Sequence, residues 1–142
     1  MKQLRKATID DIPALSKVRS SVVENRLSDP SLIGPRDYAW FIKNTSIWLC
    51  ELSGTVTGFS AADPRDGSIW ALFVLPGKEG QGLGQALLES ACSELRQAGW
   101  SVAKLSTDPD TRAEAFYRRN GWTETGRCSN GEVVFERRLE KA

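Results

Sequence analysis

The feature that most constrains this chain is a glycine-rich turn between an apolar run and a helix-forming stretch. The apolar run covers residues 69–75, four glycines occur between residues 77 and 84, and helical spacing of apolar residues begins at about Leu83. The first turn of a helix has unpaired N–H donors and a partial positive charge, and glycines carry no side chain to block access to them. The sequence therefore predicts a ligand that contains a phosphate group.

Composition limits the class of protein. The chain has 142 residues, of which 40% are hydrophobic and 26% charged, which predicts one domain with a core over residues 1–142. Nineteen basic against eighteen acidic residues leave a charge of +1, which argues against a nucleic acid or a membrane surface as partner. No segment has the length of a signal peptide core or a membrane span. We expect a soluble cytoplasmic protein.

Histidine is absent from the chain, which excludes serine or cysteine triads and zinc hydrolases that use histidine. The three cysteines are Cys50, Cys92 and Cys128, and none lies in a closely spaced pair. We therefore expect reduced thiols that fill space, and no metal site.

The apolar pattern alternates between strand and helix periods and contains no repeats. It predicts an α/β fold with a mixed sheet in the order β-α-α-β-β-β-α-β-α-β-β. A capping box at Thr8 and Asp11 should open the first helix, and residues 25–34 with the following helix could form a lid. The strands are expected at 4–8, 47–52, 55–61, 69–75, 102–106, 122–126 and 132–139, and the later helices start at Pro35, about Leu83 and Asp108-Pro109.

Two common phosphate-binding motifs do not fit the turn. A Walker loop needs Gly-Lys followed by Ser or Thr, and the chain has no such string. The dinucleotide motif needs a third glycine where Leu87 stands. P-loop nucleotide hydrolysis and a Rossmann site are therefore disfavoured.

Two stretches together carry a family resemblance. Residues 74–88 resemble the acyl-CoA signature Q/R-x-x-G-x-G/A of the GNAT superfamily of N-acetyltransferases, and residues 110–122 look like its second signature, N-x-x-A-x-x-x-Y-x-x-x-G-F. The resemblance implies a mostly antiparallel central sheet flanked by helices, and acetyl-CoA as cosubstrate. Glu79, Asp110 and Trp122 depart from the family pattern, and we expect the Glu79 carboxylate to turn away from the pyrophosphate.

The resemblance also implies roles for individual residues. The amide of Val74 is the candidate donor to the oxyanion, and the phenol of Tyr117 is the candidate general acid for the leaving thiolate. In similar proteins the strand before the phosphate turn splays from its neighbour, so that its main chain can pair with the pantetheine arm. The expected cofactor contacts are Phe73, Val74, Lys78, Gly80, Gln81, Gly82, Leu83, Gly84, Gln85, Asp110, Ala113, Phe116 and Tyr117.

The acceptor site is less defined by motifs. A protonated amine must lose its proton, and in a chain without histidine a carboxylate acting through water is the usual route. Glu24, Asp63 and Glu132 remain open alternatives for this base. Asn25, Trp40 and Trp70 are expected to complete a polar and partly aromatic acceptor pocket.

Three functions remain open from the sequence. The leading one is an N-acetyltransferase that acts on the primary amine of a small molecule by direct attack in a ternary complex. The others are a protein acetyltransferase, acting on a lysine or an N-terminus, and a non-catalytic acyl-CoA-binding module. Dimers are common among similar proteins, so a homodimer is also left open.

Overall fold

The computed structural model describes residues 2–21, 34–77 and 82–139. Within these ranges the elements follow the predicted order, with a 3₁₀ turn at Ile9–Asp11 before the first helix. The strands are β1 (Lys2–Lys6), β2 (Ile47–Leu52), β3 (Thr55–Asp63), β4 (Ser68–Val74), β5 (Val102–Thr107), β6 (Thr123–Arg127) and β7 (Val133–Arg138); the helices are α1 (Ile12–Ser21), α2 (Pro35–Asn44), α3 (Leu83–Gln97) and α4 (Arg112–Arg119).

The described strands form one seven-stranded sheet in the order β1-β2-β3-β4-β5-β7-β6. All neighbouring strands are antiparallel except β4 and β5, which are parallel. The predicted fold class, a mixed and mostly antiparallel sheet with flanking helices, is confirmed. β4 lies in the middle of the sheet, as its apolar run predicts.

The sheet opens between its two parallel strands. β4 and β5 pair at a single register, Ser68 with Lys104. Beyond that pair, β4 continues to Val74 and β5 to Thr107 without further pairing to each other. The two strands therefore diverge toward their carboxyl ends, and the edge of β4 in this opening is available to a ligand.

The first two helices are set by local signals and by burial. The amide of Thr8 donates to Oδ2 of Asp11 over 2.7 Å, so the predicted capping box is present at the 3₁₀ turn. α1 buries Leu15 and Val18, and residues 22–33 lie outside the described residues. α2 begins at Pro35 and buries Tyr38 and Phe41, so this half of the expected lid packs in the core.

α3 buries the apolar stripe that its spacing predicts, including Leu87, Ala91 and Leu95. It ends where the left-handed Gly99 stops the helix, and the amide of Trp100 donates back to the carbonyl of Leu95 over 3.0 Å. No helix of the described residues combines the length and apolarity that crossing a bilayer requires.

The predicted start of α4 is wrong. The helix begins at Arg112 rather than at Asp108-Pro109, and Thr111 caps it by accepting a hydrogen bond from the amide of Glu114 over 3.2 Å. Asp110 adopts a left-handed backbone with φ 58°, which cannot continue a helix. The strand ends differ from the prediction by at most two residues, and β2 matches it at both ends.

Among the described residues, three apolar clusters pack against the sheet. One joins α1 and α2 to β2, β3 and β4, a second joins α3 and α4 to β3, β4, β5 and β7, and a small third joins β2 to the start of α3. Cys50 and Cys92 are buried and Cys128 is partly exposed, and all three are free thiols, as predicted.

Candidate active site

A cavity of about 130 Å³ lies where β4 and β5 diverge. The lining consists of Arg19 of α1, residues 69–73 of β4, residues 105–107 of β5, Ala113 and Tyr117 of α4, and Glu132 before β7. The opening of the sheet thus brings together residues that are more than a hundred positions apart in the sequence.

Tyr117 reaches the cavity from the inner face of α4, and only 6% of it is exposed. Its ring packs at 5.7 Å from the ring of Trp122 and at 6.0 Å from that of Phe135. Burial raises the pKa of the Tyr117 phenol, and the nearby Cys92 thiol adds to the effect. The hydroxyl therefore keeps its proton at neutral pH and can act as a donor.

Of the candidate carboxylates that the structure describes, Glu132 lines the cavity. Its Oε1 accepts a hydrogen bond from Nδ2 of Asn130 over 3.1 Å and a longer one from Oγ of Ser106 over 3.4 Å. The amide of Glu132 donates in turn to Oδ1 of Asn130 over 3.0 Å. These contacts orient a carboxylate at the edge of the cavity.

Asp63 is not among the lining residues. Nε and Nη2 of Arg65 donate to its two carboxylate oxygens, each over 2.9 Å, and the Arg65 amide donates to Oδ1 over 3.0 Å. This pairing holds the pKa of the Asp63 carboxyl below its usual range, although burial opposes the effect. The geometry argues against Asp63 as a base, and Glu24 and Asn25 lie outside the described residues.

The two candidate tryptophans occupy different places. Trp70 lines the cavity, and its ring stacks on that of Phe41 at 4.1 Å. Trp40 also contacts Phe41, but the Arg65 guanidinium covers its ring at 3.8 Å, and Trp40 does not line the cavity. Trp70 therefore forms an aromatic wall of the cavity, and Trp40 does not.

The start of α3 supplies a group of N–H donors. Gly82 precedes the helix in a left-handed conformation with φ 78°, and the amide of Ala86 donates to its carbonyl over 3.1 Å. The amides of Leu83, Gly84 and Gln85 come before this first intrahelical bond and have no acceptor within the helix. The predicted contacts Lys78, Gly80 and Gln81, together with Glu79, lie outside the described residues.

The α3 start lies beside α4 and the end of β4. A Cβ atom placed on Gly84 would be 3.5 Å from the ring of Phe116 and 3.8 Å from Cγ2 of Val74. The structure therefore brings together Gly84, Phe116 and Val74 as the motifs predict. They form the end of the opening next to the glycine turn.

The main chain of Phe73 is directed toward β3. The amide of Leu75 donates to the carbonyl of Thr57 over 2.8 Å, and Phe73 pairs with Phe59 in the same register. Because bonded and non-bonded pairs alternate in an antiparallel ladder, Phe73 bonds to β3, whereas Leu72 and Val74 face the opening. The prediction that the Phe73 main chain contacts the cofactor is therefore corrected: Phe73 contributes its side chain to the cavity wall. The main chain of Leu72, together with that of Val74, faces the opening.

Asp110 is exposed and does not line the cavity. Its amide donates to Oε1 of Glu114 over 2.8 Å, and Thr111 rather than Asp110 caps α4. Asp110 lies in the connection between β5 and α4, and its left-handed backbone turns the chain just before α4 begins.

Arg19 is a lining residue that the sequence reasoning missed. Its guanidinium carbon lies 5.8 Å from the centre of the Phe73 ring. The sequence could have indicated Arg19 because it directly follows Val18, a buried residue of α1, so that its charge lies at the border of the core. Among the described residues, no group of three cysteine, aspartate or glutamate side chains could hold a metal ion.

Comparisons with known proteins agree with this geometry. A family model for the acetyltransferase (GNAT) domain matches residues 43–124. Mycothiol acetyltransferase of Pseudarthrobacter chlorophenolicus is 30% identical over 109 residues, which are 70% of this chain and 34% of the relative. Aminoalkylphosphonate N-acetyltransferase of Salmonella typhimurium is 43% identical over 60 residues, 42% of this chain and 39% of the relative. The chain matches only about a third to two fifths of these curated relatives' length.

A solved structure has the same fold over nearly the whole chain. The PaiA N-acetyltransferase of Thermoplasma acidophilum, in complex with coenzyme A, superimposes with a TM-score of 0.76. The match covers 97% of this chain and 99% of the other at 15% sequence identity. At this identity the likeness shows the fold alone.

Proposed function

Because the chain belongs to the GNAT acetyltransferase family, we propose that it transfers an acetyl group from acetyl-CoA to the primary amine of a small molecule. The transfer occurs by direct attack of the amine within a ternary complex. The observation that carries the proposal is the cavity in the sheet opening, which contains a protonated phenol, Tyr117, and a carboxylate, Glu132.

The described residues fit an acyl-CoA molecule. The amides of Leu83, Gly84 and Gln85 at the start of α3 suit a pyrophosphate. The main-chain edge of Leu72 and Val74 faces the opening and suits the amide groups of a pantetheine arm. Acetyl-CoA supplies the acetyl thioester, and the chain supplies orientation and proton transfer.

Two groups of the chain act where charge changes. The Val74 amide points away from β3 and can donate a hydrogen bond to a carbonyl oxygen that becomes negative. The Tyr117 phenol holds a proton for the leaving sulfur, because its raised pKa keeps it protonated over the neutral range.

Glu132 serves the acceptor. Its carboxylate, oriented by Asn130 and Ser106, takes the proton of the ammonium through water and leaves the amine neutral for attack. Trp70 and Phe73 provide apolar walls that limit the access of water.

The name of one relative supports a small acceptor over a protein. The Salmonella relative is named for an aminoalkylphosphonate, a small amine.

The test is thiol release from acetyl-CoA over a panel of small amines and N-terminal peptides. We expect turnover of at least one small amine and a decrease in kcat of about 10²-fold or more for both Tyr117→Phe and Glu132→Gln. Tyr38→Phe is the matched control, because it removes the only other phenol of the chain from a buried site outside the cavity lining. Coenzyme A binding without turnover of any amine would instead favour a non-catalytic module, and turnover confined to peptides would favour a protein acetyltransferase.

A further inference from the structure

The described lining of the cavity contains one positively and one negatively charged side chain. Among the described lining residues, Arg19 carries the positive charge and Glu132 the negative charge, and the others are uncharged at neutral pH. A site with one cation and one anion is complementary to a molecule that carries both an ammonium and an anionic group. Glu132 already has a function in the proposed reaction, whereas Arg19 has none.

The position of Arg19 is held by its surroundings. It follows Val18, which is 2% exposed, and its Nε atom is itself buried. Its guanidinium lies at cation–π distance from Phe73, which also lines the cavity. Burial raises the pKa of the Tyr38 phenol, and the positive charge of Arg19 lowers that pKa in part. The guanidinium of Arg19 therefore lies close to the Tyr38 ring. Arg19 is therefore a preorganised charge rather than a mobile surface group.

The Arg19 guanidinium is suited to bind an anionic group in the cavity. A guanidinium presents a planar fork of donors that matches a carboxylate or a phosphonate, and such bonds strengthen as water is excluded. Other arginines of the chain are placed differently: Arg118 and Arg127, for example, lie at the exposed side of β6.

We propose that the acceptor is a small amine that also carries an anionic group, and that Arg19 binds this group inside the cavity. The proposal rests on the function proposed above and names its substrate class. The anion at Arg19 orients the molecule so that its ammonium group is presented to Glu132. Carboxylate and phosphonate share the required chemistry, and the experiment separates them.

The experiment compares amines with and without the negative charge. β-Alanine is paired with β-alaninamide, and 2-aminoethylphosphonate with ethanolamine, and kcat/KM is measured for each. We expect wild-type protein to prefer the anionic member of at least one pair by about tenfold or more, since a charged hydrogen bond contributes about 1.5–3 kcal/mol. Arg19→Gln should lower kcat/KM for that anionic amine about 10- to 100-fold and change the neutral amine less than about threefold.

Two variants serve as controls. Arg19→Lys keeps the charge and should retain part of the preference, with its loss smaller than that of Arg19→Gln. Arg127→Gln removes an exposed guanidinium paired with Glu124 and should keep the full preference. Thermal unfolding of each variant, followed by circular dichroism, identifies any loss of activity that comes from misfolding.

The outcomes separate this proposal from the proposed function. Equal turnover of the charged and neutral amines, or an equal loss for both in Arg19→Gln, overturns the role of Arg19 and leaves the acetyltransferase intact. If no amine is acetylated, calorimetric titration with β-alanine and 2-aminoethylphosphonate decides: binding that Arg19→Gln abolishes supports the anion site although the reaction fails. If these anions are neither acetylated nor bound, or if Arg19→Gln binds them as well as wild type does, the proposal is overturned.

Discussion

At the scale of single residues, Asp63 and Glu132 show how surroundings decide what a carboxylate can do. Both were equal candidates for a base from the sequence. Asp63 is clamped by three donors of Arg65, which stabilise its charged form and lower its pKa. Glu132 instead lines the cavity, so it can reach an acceptor.

Cys92 gives a prediction at this scale, because burial raises the pKa of its thiol to about 11 from an ordinary value of 9.0. As the pH rises, the thiol ionises in the unfolded chain before it ionises in the folded protein. The contribution of Cys92 to the free energy of unfolding is therefore intact below pH 9 and falls as the pH rises from 9 to about 11. The slope for one proton is roughly 1.4 kcal/mol per pH unit. Denaturant unfolding of wild type and Cys92→Ala between pH 8 and 11 measures it.

Cys92→Ala should lose the part of the pH dependence of the unfolding free energy that comes from Cys92. It should also be less stable by a constant amount at every pH, because the substitution leaves a cavity. Cys128→Ala is the control for the loss of a thiol, because Cys128 is partly exposed in the β6–β7 turn. Identical slopes in wild type and Cys92→Ala would contradict the prediction.

At the scale of elements, α3 shows how one helix serves both the core and a ligand. Its apolar side is buried in the described core, while its first turn is left with amides that the helix itself does not use. Left-handed glycines stand at both ends, Gly82 before the helix and Gly99 after it. Only the first of these ends lies at the opening of the sheet.

This symmetry provides a matched pair of substitutions, Gly82→Ala and Gly99→Ala. A Cβ atom at either position meets no other atom within 4 Å, so the cost comes from the positive φ, about 1–2 kcal/mol each. Thermal unfolding should register both. Only Gly82→Ala should raise the KM for acetyl-CoA, by about fivefold or more if the amides shift enough to lose one hydrogen bond. A similar KM for both variants would show that the α3 start does not bind the cofactor.

At the scale of the whole molecule, the divergence of β4 and β5 creates the site. The two larger apolar clusters share β3 and β4 but involve different helices, and the cavity takes residues from elements in both. The single-domain extent over residues 1–142, the cytoplasmic location and the lack of nucleic-acid or membrane partners stay predictions, and a homodimer stays open.

Amide hydrogen exchange tests the opening directly. The amides of Leu72 and Val74 face the gap and should exchange faster than those of Ala71 and Phe73, which bond to β3. Coenzyme A should slow the Val74 amide most and leave Phe73 almost unchanged. Exchange followed by NMR with and without coenzyme A measures both effects. Slow exchange at Val74 in the protein alone would mean that this amide is already occupied.

Much of the fold could be read from the sequence because its signals are local. The α3 start follows from glycines and apolar spacing within a few residues, and the Thr8 and Asp11 cap from a spacing of three. The α4 start was missed because Asp108-Pro109 is a plausible cap pair by sequence alone. The left-handed turn at Asp110 moves the start to Arg112.

By itself the sequence determined the order of strands and helices, the glycine turn and the two motifs, since each depends on residues close together in the chain. Only the tertiary structure decided which side chains share the cavity. Arg19, Tyr117 and Glu132 meet there because β4 and β5 diverge after one pair and α1 and α4 pack near the gap. Contacts between such distant residues depend on how whole elements pack, and no local pattern of residues encodes them.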